Sequence, residues 1–172
     1  MSTLQIPDFK TDNKELKTVE IFTDGACTGN PGPGGYGVIL VHGEKRRELS
    51  GGFRRTTNNR MELLAAIMGL KELRYPCAVT VYTDSQYLAK GISEGWAKRW
   101  KANGWVLSNK KPTVNVDLWS ALLDLCETHD VVFKWVKGHA GHPENERCDQ
   151  LSVLAASQPN LPEDTEYINH SK

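Results

Sequence analysis

The sequence predicts an α/β fold of the mixed α+β kind, in which a five-stranded mixed sheet is flanked by helices. Two runs of β-branched and aromatic residues, at 19–22 and 79–82, each lead directly into Thr-Asp, and such runs are typical of strands. Three closely spaced strand candidates come before the first helical stretch, whereas strands and helices alternate after it. Short connections favour antiparallel hairpins and strand–helix–strand units favour parallel pairing, so the sheet should contain both.

The first three strands are expected at 19–24, at 36–41 and near 47–53. Residues 29–35 are mostly Gly and Pro. This composition predicts a turn segment between the first two strands. A helix is predicted from Asn59 to Leu73, with Thr57 or Asn58 available as its N-cap. Apolar residues cover most of the circumference of this helix, so we expect it to be largely buried.

The second half of the chain continues with the strand that ends at Thr83-Asp84. Helical stretches follow it up to about Lys101 and again over 115–127. A fifth strand is predicted at 131–136, where β-branched and aromatic residues recur. Pro143 suits the first turn of a last helix that runs through Leu154.

Length and composition indicate one globular domain with ordinary proportions of hydrophobic and charged residues. The formal net charge is zero, so any attraction to nucleic acid must come from local patches. We predict a polar leader at residues 1–18, the folded domain at 19–157 and a polar tail at 158–172. There is no apolar run of the length of a membrane span and no visible signal peptide, and the cysteines are scattered. These features predict a cytoplasmic location and no membrane association.

Two acidic residues, Asp24 and Asp84, follow the two matching strands. If those strands are parallel neighbours, their spacing of about 4.8 Å places both carboxylates side by side at one sheet edge. Two like charges at such a distance need a cation or a proton between them. The alternative is that both are ordinary turn-initiating residues, since Thr-Asp-Gly is common turn chemistry.

Glu62 lies in the first turn of the apolar helix and shares a face with small residues. A buried carboxylate must be paired or bound to a metal, because burying it alone is strongly unfavourable. We therefore predict that Glu62 is a metal ligand. The alternatives are a glutamate that complements the helix dipole or one that pairs with Arg60 or another basic residue.

Asp149 is the fourth candidate acid. Cys148, Leu151 and Leu154 mark the predicted inward stripe of the last helix, and Asp149 lies beside that stripe, whereas Glu144 and Glu146 are expected on the solvated surface. Taken alone, Asp149 would be a surface charge. Clustered carboxylates favour Mg²⁺, with Mn²⁺ as a substitute, and they call for no organic cofactor.

Five motifs resemble the bacterial-type ribonuclease H family, type I. They are Thr-Asp-Gly at 23–25, Gly-Asn-Pro-Gly-Pro-Gly-Gly-Tyr-Gly at 29–37, Thr-Thr-Asn-Asn-Arg-Met-Glu at 56–62, Thr-Asp-Ser-Gln-Tyr at 83–87 and Lys-Gly-His-Ala-Gly-His-Pro-Glu-Asn-Glu-Arg-Cys-Asp at 137–149. The resemblance implies the ribonuclease H-like fold and a monomeric endonuclease. It also implies hydrolysis of the RNA strand of RNA–DNA hybrids, which leaves 3′-hydroxyl and 5′-phosphate ends.

The resemblance also implies roles for individual residues. The metal-binding acids are Asp24, Glu62, Asp84 and Asp149, and His139 falls on the catalytic histidine of the family. The implied contacts to the RNA strand are Asn58, Asn59 and Gln86, and those to a phosphate of the DNA strand are Asn30 and Thr57. A basic segment that carries Lys98, Arg99 and Lys101, interleaved with tryptophans, resembles the basic handle that contacts phosphates.

Two other functions are compatible with parts of this pattern. Polynucleotidyl transferases and some exonucleases use similar carboxylate clusters, but the long motif at 137–149 argues against them. A non-catalytic hybrid-binding module is the other alternative. The four intact acids argue against it, because a binding protein has no use for a repulsive carboxylate cluster.

Overall fold

A five-stranded mixed sheet forms the centre of the structure, which is a computed structural model that describes residues 16–138 and 140–170. The strands are β1 (Lys17–Cys27), β2 (Gly32–His42), β3 (Lys45–Thr56), β4 (Cys77–Thr83) and β5 (Asp130–Trp135). Their order across the sheet is β3-β2-β1-β4-β5. The pairs β1–β2 and β2–β3 are antiparallel, whereas β1–β4 and β4–β5 are parallel. The predicted mixed sheet is therefore confirmed.

Six helices lie in the described part of the chain. They are α1 (Asn58–Lys71), α2 (Gln86–Ser93), α3 (Trp96–Ala102), α4 (Val116–Thr128), α5 (Pro143–Ala156) and α6 (Thr165–His170). Thr57 is the N-cap of α1, and its side chain accepts a hydrogen bond from the Arg60 backbone N–H at 3.2 Å. As predicted, α1 is buried around most of its circumference. No helix among residues 16–138 and 140–170 is long and apolar enough to cross a membrane.

The two faces of the sheet are covered by different helices. On β2, Val38 lies beneath α1, because an added Cβ at Gly69 would lie 3.0 Å from its side chain. The neighbouring Gly37 faces α5, where an added Cβ would lie 2.8 Å from Leu151 Cβ. Successive residues of a strand point to opposite faces, so α1 and α5 sandwich the sheet.

A surface of three glycines lets α5 approach the sheet closely. Added Cβ atoms at Gly35 and Gly37 would collide with atoms of α5, and one at Gly52 would lie 3.1 Å from the Ala155 carbonyl oxygen. Only small side chains fit at this contact. The buried residues of α5 are accordingly Cys148, Ser152, Ala155 and Ala156.

The inward stripe predicted for the last helix is therefore partly wrong. Leu154 is 55% exposed and Leu151 is half-buried, because the glycine surface admits small side chains in place of leucines. The predicted turn at 29–35 is also too long. β2 begins at Gly32, since Cys27 pairs with Gly34 and the Thr28 N–H donates to the Pro33 carbonyl at 2.8 Å.

The two ends of the chain differ in what the structure describes. Residues 1–15, most of the predicted leader, lie outside the described residues, and β1 begins at Lys17. Within the predicted tail, α6 forms and Asp164 is buried. The domain boundaries at 18 and 157 stay a prediction.

Candidate metal centre and nucleic-acid contacts

Asp24 and Asp84 lie side by side at the carboxyl ends of two neighbouring parallel strands. In the register between β1 and β4, Phe22 pairs with Tyr82, and the same offset sets Asp24 beside Asp84. The Asp24 carboxylate accepts a hydrogen bond from the Gly25 backbone N–H at 2.8 Å. The expected juxtaposition of the two acids is thus confirmed.

Glu62 completes a group of three acids. Each of Asp24, Glu62 and Asp84 offers a carboxylate oxygen, and these oxygens lie within 4.8 Å of one another. Gly25 makes this possible, because an added Cβ there would lie 2.7 Å from the Glu62 backbone nitrogen. The small residue after Asp24 therefore makes room for the first turn of α1.

Arg60, the alternative partner considered for Glu62, forms ion pairs with other acids. The Arg60 guanidinium forms ion pairs with Asp117 and with Asp164, both at 2.7 Å. The alternative that Glu62 pairs with Arg60 is therefore wrong. Glu62 is 3% exposed, and its Oε2 has no hydrogen-bond partner among the described residues.

Burial and mutual repulsion disfavour the charged state of this group. Burial first, and then the charge of Asp84, raise the pKa of Asp24 to about 7. Burial and the charges of Asp24 and Asp84 likewise raise the pKa of Glu62 well above its usual value. A bound divalent cation would remove the repulsion and give the unpaired Oε2 of Glu62 a partner. The residues present therefore fit a metal ion that prefers oxygen ligands.

Asp149 approaches the group from α5. It lines a small cavity together with Asp24 and Asp84, and its negative charge contributes to the raised pKa of Asp24. It does not belong to the compact group of three, whose oxygens lie within 4.8 Å. The structure thus brings all four predicted acids to one site, with Asp149 at its edge.

Sequence reasoning missed several residues around this cavity. Glu146 is exposed as expected, yet it lines the cavity with Asn145, and its position three residues before Asp149 is the helical spacing that signals a shared face. Gly138 lets its loop approach Asp84 closely, since an added Cβ at Gly138 would lie 2.9 Å from Asp84 Oδ2. The indole N–H of Trp135 donates to the Asp84 carbonyl at 3.0 Å. His139 lies outside the described residues, so its catalytic role stays a prediction.

Three predicted substrate-binding residues meet at the start of α1. The Asn30 side-chain oxygen accepts from the Asn58 backbone N–H at 3.0 Å, next to the N-cap Thr57. Asn59 is exposed one residue further along α1, and Gln86 is the exposed first residue of α2, two residues after Asp84.

The predicted basic handle lies on α3, whose residues do not line the acidic cavity. Lys98, Arg99 and Lys101 are all exposed, and the Arg99 guanidinium donates to the Glu94 carbonyl at 2.9 Å. Trp96 and Trp100 pack together with ring centroids 6.3 Å apart, as their spacing predicts. All three cations thus face solvent, and their contact with phosphates stays a prediction.

The raised pKa of Asp24 gives a testable dependence of stability on pH and Mg²⁺. The folded protein holds a proton that the unfolded chain loses above its ordinary pKa of 3.8, so the metal-free stability should fall as the pH rises towards about 7. A divalent cation held by the deprotonated group would reverse this loss, and Mg²⁺ is the predicted ion. We expect Mg²⁺ to raise Tm by several degrees at about pH 8 and by little at about pH 5. Differential scanning fluorimetry measures both, and an equal Mg²⁺ effect at the two pH values would contradict the expectation.

Comparisons with known proteins give consistent matches along the chain. Residues 16–157 match the RNase H family. The chain is 64% identical to a ribonuclease H of Desulforamulus reducens over 152 residues, which is 88% of this chain and 96% of the relative. It is 57% identical to a ribonuclease H of Aeromonas hydrophila, over 88% of this chain and 98% of the relative.

Two solved structures have the same architecture. A type 1 RNase H with the type 2 active-site motif superposes with a TM-score of 0.73 at 31% identity, covering 82% of this chain and 72% of the other. An RNase H solved in complex with RNA/DNA hybrid gives a TM-score of 0.62 at 26% identity, covering 80% of this chain and 96% of the other.

Proposed function

Since the chain belongs to the ribonuclease H family, we propose that the four clustered carboxylates perform the family's reaction with Mg²⁺ as the preferred ion. The protein is an endonuclease that hydrolyses the RNA strand of RNA–DNA hybrids and leaves 3′-hydroxyl and 5′-phosphate ends. The observation that carries the proposal is the group formed by Asp24, Glu62 and Asp84, whose oxygens lie within 4.8 Å of one another.

Asp24, Glu62 and Asp84 would hold the cation, with Asp149 as a further ligand at the edge of the cavity. A metal ion in this position supplies positive charge that stabilises the negative charge developing on the phosphodiester oxygens. The sheet edge and α1 hold three of these carboxylates in fixed positions, so little reorganisation accompanies binding. Mn²⁺ would substitute for Mg²⁺, because the ligands are all oxygen atoms.

The strand to be cut would be selected by the amide side chains around the acids. Distinguishing RNA from DNA requires contact with 2′-hydroxyl groups, and Asn58, Asn59 and Gln86 offer both donors and acceptors for them. Asn30 and Thr57 lie beside Asn58 and would bind a phosphate of the DNA strand. His139 would assist proton transfer or product release, since histidine is the residue type whose ordinary pKa lies near neutral pH.

The state and location of the protein are parts of the same proposal. All four cysteines are free, which suits a reducing, cytoplasmic compartment. We propose a monomer, since one chain supplies all four acids of the site. No organic cofactor is needed for a hydrolysis supported by metal and carboxylates.

The proposal is tested by presenting one labelled RNA sequence in four forms, with Mg²⁺ and with a chelator. The forms are RNA paired with DNA, RNA paired with RNA, single-stranded RNA and the corresponding all-DNA duplex. We expect Mg²⁺-dependent cutting of RNA in the hybrid alone. Tight hybrid binding without cutting would instead support a binding module, and cutting of another duplex would indicate a different nuclease.

The handle on α3 gives a second prediction. Reversing the charge of Lys98 and Arg99 to glutamate should raise KM for the hybrid more than it lowers kcat, because phosphate attraction acts on binding. The double variant Lys71→Glu with Arg74→Glu is a matched control, since it makes the same charge change at exposed positions away from α3. Steady-state cleavage at moderate salt measures both constants. An unchanged KM would exclude α3 as a main contact.

A further inference from the structure

The first turn of α5 is the least buried part of that helix. Residues 143–147 include no buried side chain, and the first buried residue is Cys148, whose thiol donates to the Phe22 carbonyl at 3.2 Å. The glycine surface likewise begins to contact α5 only at Cys148, through Gly37. Close packing against the sheet thus begins at Cys148, and Asp149, the next residue, is only half-buried at this boundary.

Four charged side chains tie the unpacked first turn to β3. The Arg46 guanidinium contacts both carboxylate oxygens of Glu144, at 2.8 and 3.2 Å, and also Glu48 at 2.9 Å. The Arg147 guanidinium contacts both carboxylate oxygens of Glu48, at 2.9 and 3.1 Å. Hydrogen bonds from Arg147 and then from Arg46 lower the pKa of Glu48 to about 2. We call these four residues the β3–α5 ion-pair network.

The β3 end of this network is connected through the sheet to Asp24 on β1. Arg46 and Glu48 pair in register with Val41 and Ile39 of β2, and Ile39 is fully buried. β2 in turn pairs with β1, which carries Asp24. The network therefore connects the start of α5 to the same sheet that holds the first metal-binding acid.

We propose that the β3–α5 ion-pair network positions Asp149 for the metal site, so that Arg46, Glu48, Glu144 and Arg147 are positioning residues of the hydrolysis. The inference rests on the proposed metal role of Asp149. Two paired guanidinium–carboxylate contacts restrain a helix end in direction as well as distance, because each is made through two parallel bonds. Asp149 follows Arg147 by two residues, so a tilt of the first turn changes where its carboxylate lies.

This role differs from a contribution to global stability. The four side chains are partly exposed, at 29 to 41%, and exposed ion pairs add little to the free energy of unfolding. Removing the network should therefore leave Tm nearly unchanged while it weakens metal binding. A role in stability alone would give the opposite result.

The test uses the single variants Glu48→Ala and Arg147→Ala, the double variant and the conservative Arg147→Lys. Mg²⁺ binding is followed by calorimetry on the free protein, and the Mg²⁺ concentration for half-maximal cleavage is measured at saturating hybrid. Each single alanine variant should weaken Mg²⁺ binding about tenfold, the low end of the loss typical for residues that orient metal ligands, with KM for hybrid unchanged. The double variant should be little worse than the singles, because each single variant already removes the shared contact between Arg147 and Glu48. Arg147→Lys should recover part of the loss.

Arg47→Ala is the matched control, because Arg47 lies on the same strand and pairs with Glu72, the C-cap of α1. Its Mg²⁺ requirement should equal that of the wild type. If the wild type is active and both Glu48→Ala and Arg147→Ala bind and require Mg²⁺ normally, the positioning role is overturned. The proposed function is not affected by that outcome. A wild type that does not cut hybrid would overturn the proposed function and this inference with it.

Discussion

Asp24→Asn is expected to reduce kcat for hybrid cleavage by about a thousandfold or more, equivalent to about 4 kcal/mol of transition-state stabilisation. Asp24 is central among the four acids, since its oxygens lie near those of Glu62 and Asp84 and its pKa responds to the charges of Asp84 and Asp149. Asparagine keeps the size of the side chain but removes the negative charge that a cation requires. Single-turnover cleavage at saturating Mg²⁺ measures the loss.

Hybrid binding by the same variant should be retained or strengthened. The four acids repel the phosphates of the substrate, and the substitution removes one of those charges. Asp124→Asn is the control, because it makes the same charge change at an exposed position on α4. Activity of Asp24→Asn within about tenfold of the wild type would show that Asp24 is not a core metal ligand.

Sequence reasoning located the acids because their signals are local. Asp24 and Asp84 each end a strand of similar composition, and parallel pairing of those two strands follows from the topology. Glu62 stands out because it is a charged residue in a helix that is otherwise apolar around its circumference. In each case the pattern lies within about ten residues, and hydrophobic periodicity reports burial at that range.

The remainder of the site depends on contacts between distant parts of the chain. The exposure of Leu154 follows from glycines on β2 and β3, which are about a hundred residues away in sequence. The positions of Glu48 and Arg147 in the sequence do not indicate that their side chains meet. Asp164 lies in the segment predicted as a polar tail, and its burial follows from its ion pair with the guanidinium of Arg60. Composition does not report pairings of this kind.

Asp164→Ala is expected to lower the free energy of unfolding by about 3 kcal/mol, which corresponds to a fall in Tm of about 6 to 12 °C. Asp164 is 6% exposed, and one of its oxygens accepts from Arg60 Nε and from the Thr56 hydroxyl, both at 2.7 Å. Burial alone would lower the pKa of Arg60, but hydrogen bonds to Asp117 and Asp164 raise it above its ordinary value. Removing Asp164 leaves a buried guanidinium with fewer acceptors, and that is the source of the loss.

Two further variants separate this buried pair from the rest of the C-terminal segment. Asp164→Asn keeps a hydrogen-bond acceptor and should lose less stability than alanine. Glu163→Ala removes a neighbouring exposed acid, whose contact with Arg54 is 3.8 Å, and should leave Tm within about 1 °C. Thermal unfolding followed by circular dichroism measures all three. If Asp164→Ala unfolds at the same temperature as Glu163→Ala, the remaining acceptors Asp117 and Asn115 satisfy Arg60. A large loss for Asp164→Ala means that residues after 157 hold the first turn of α1, and with it Glu62, against the sheet.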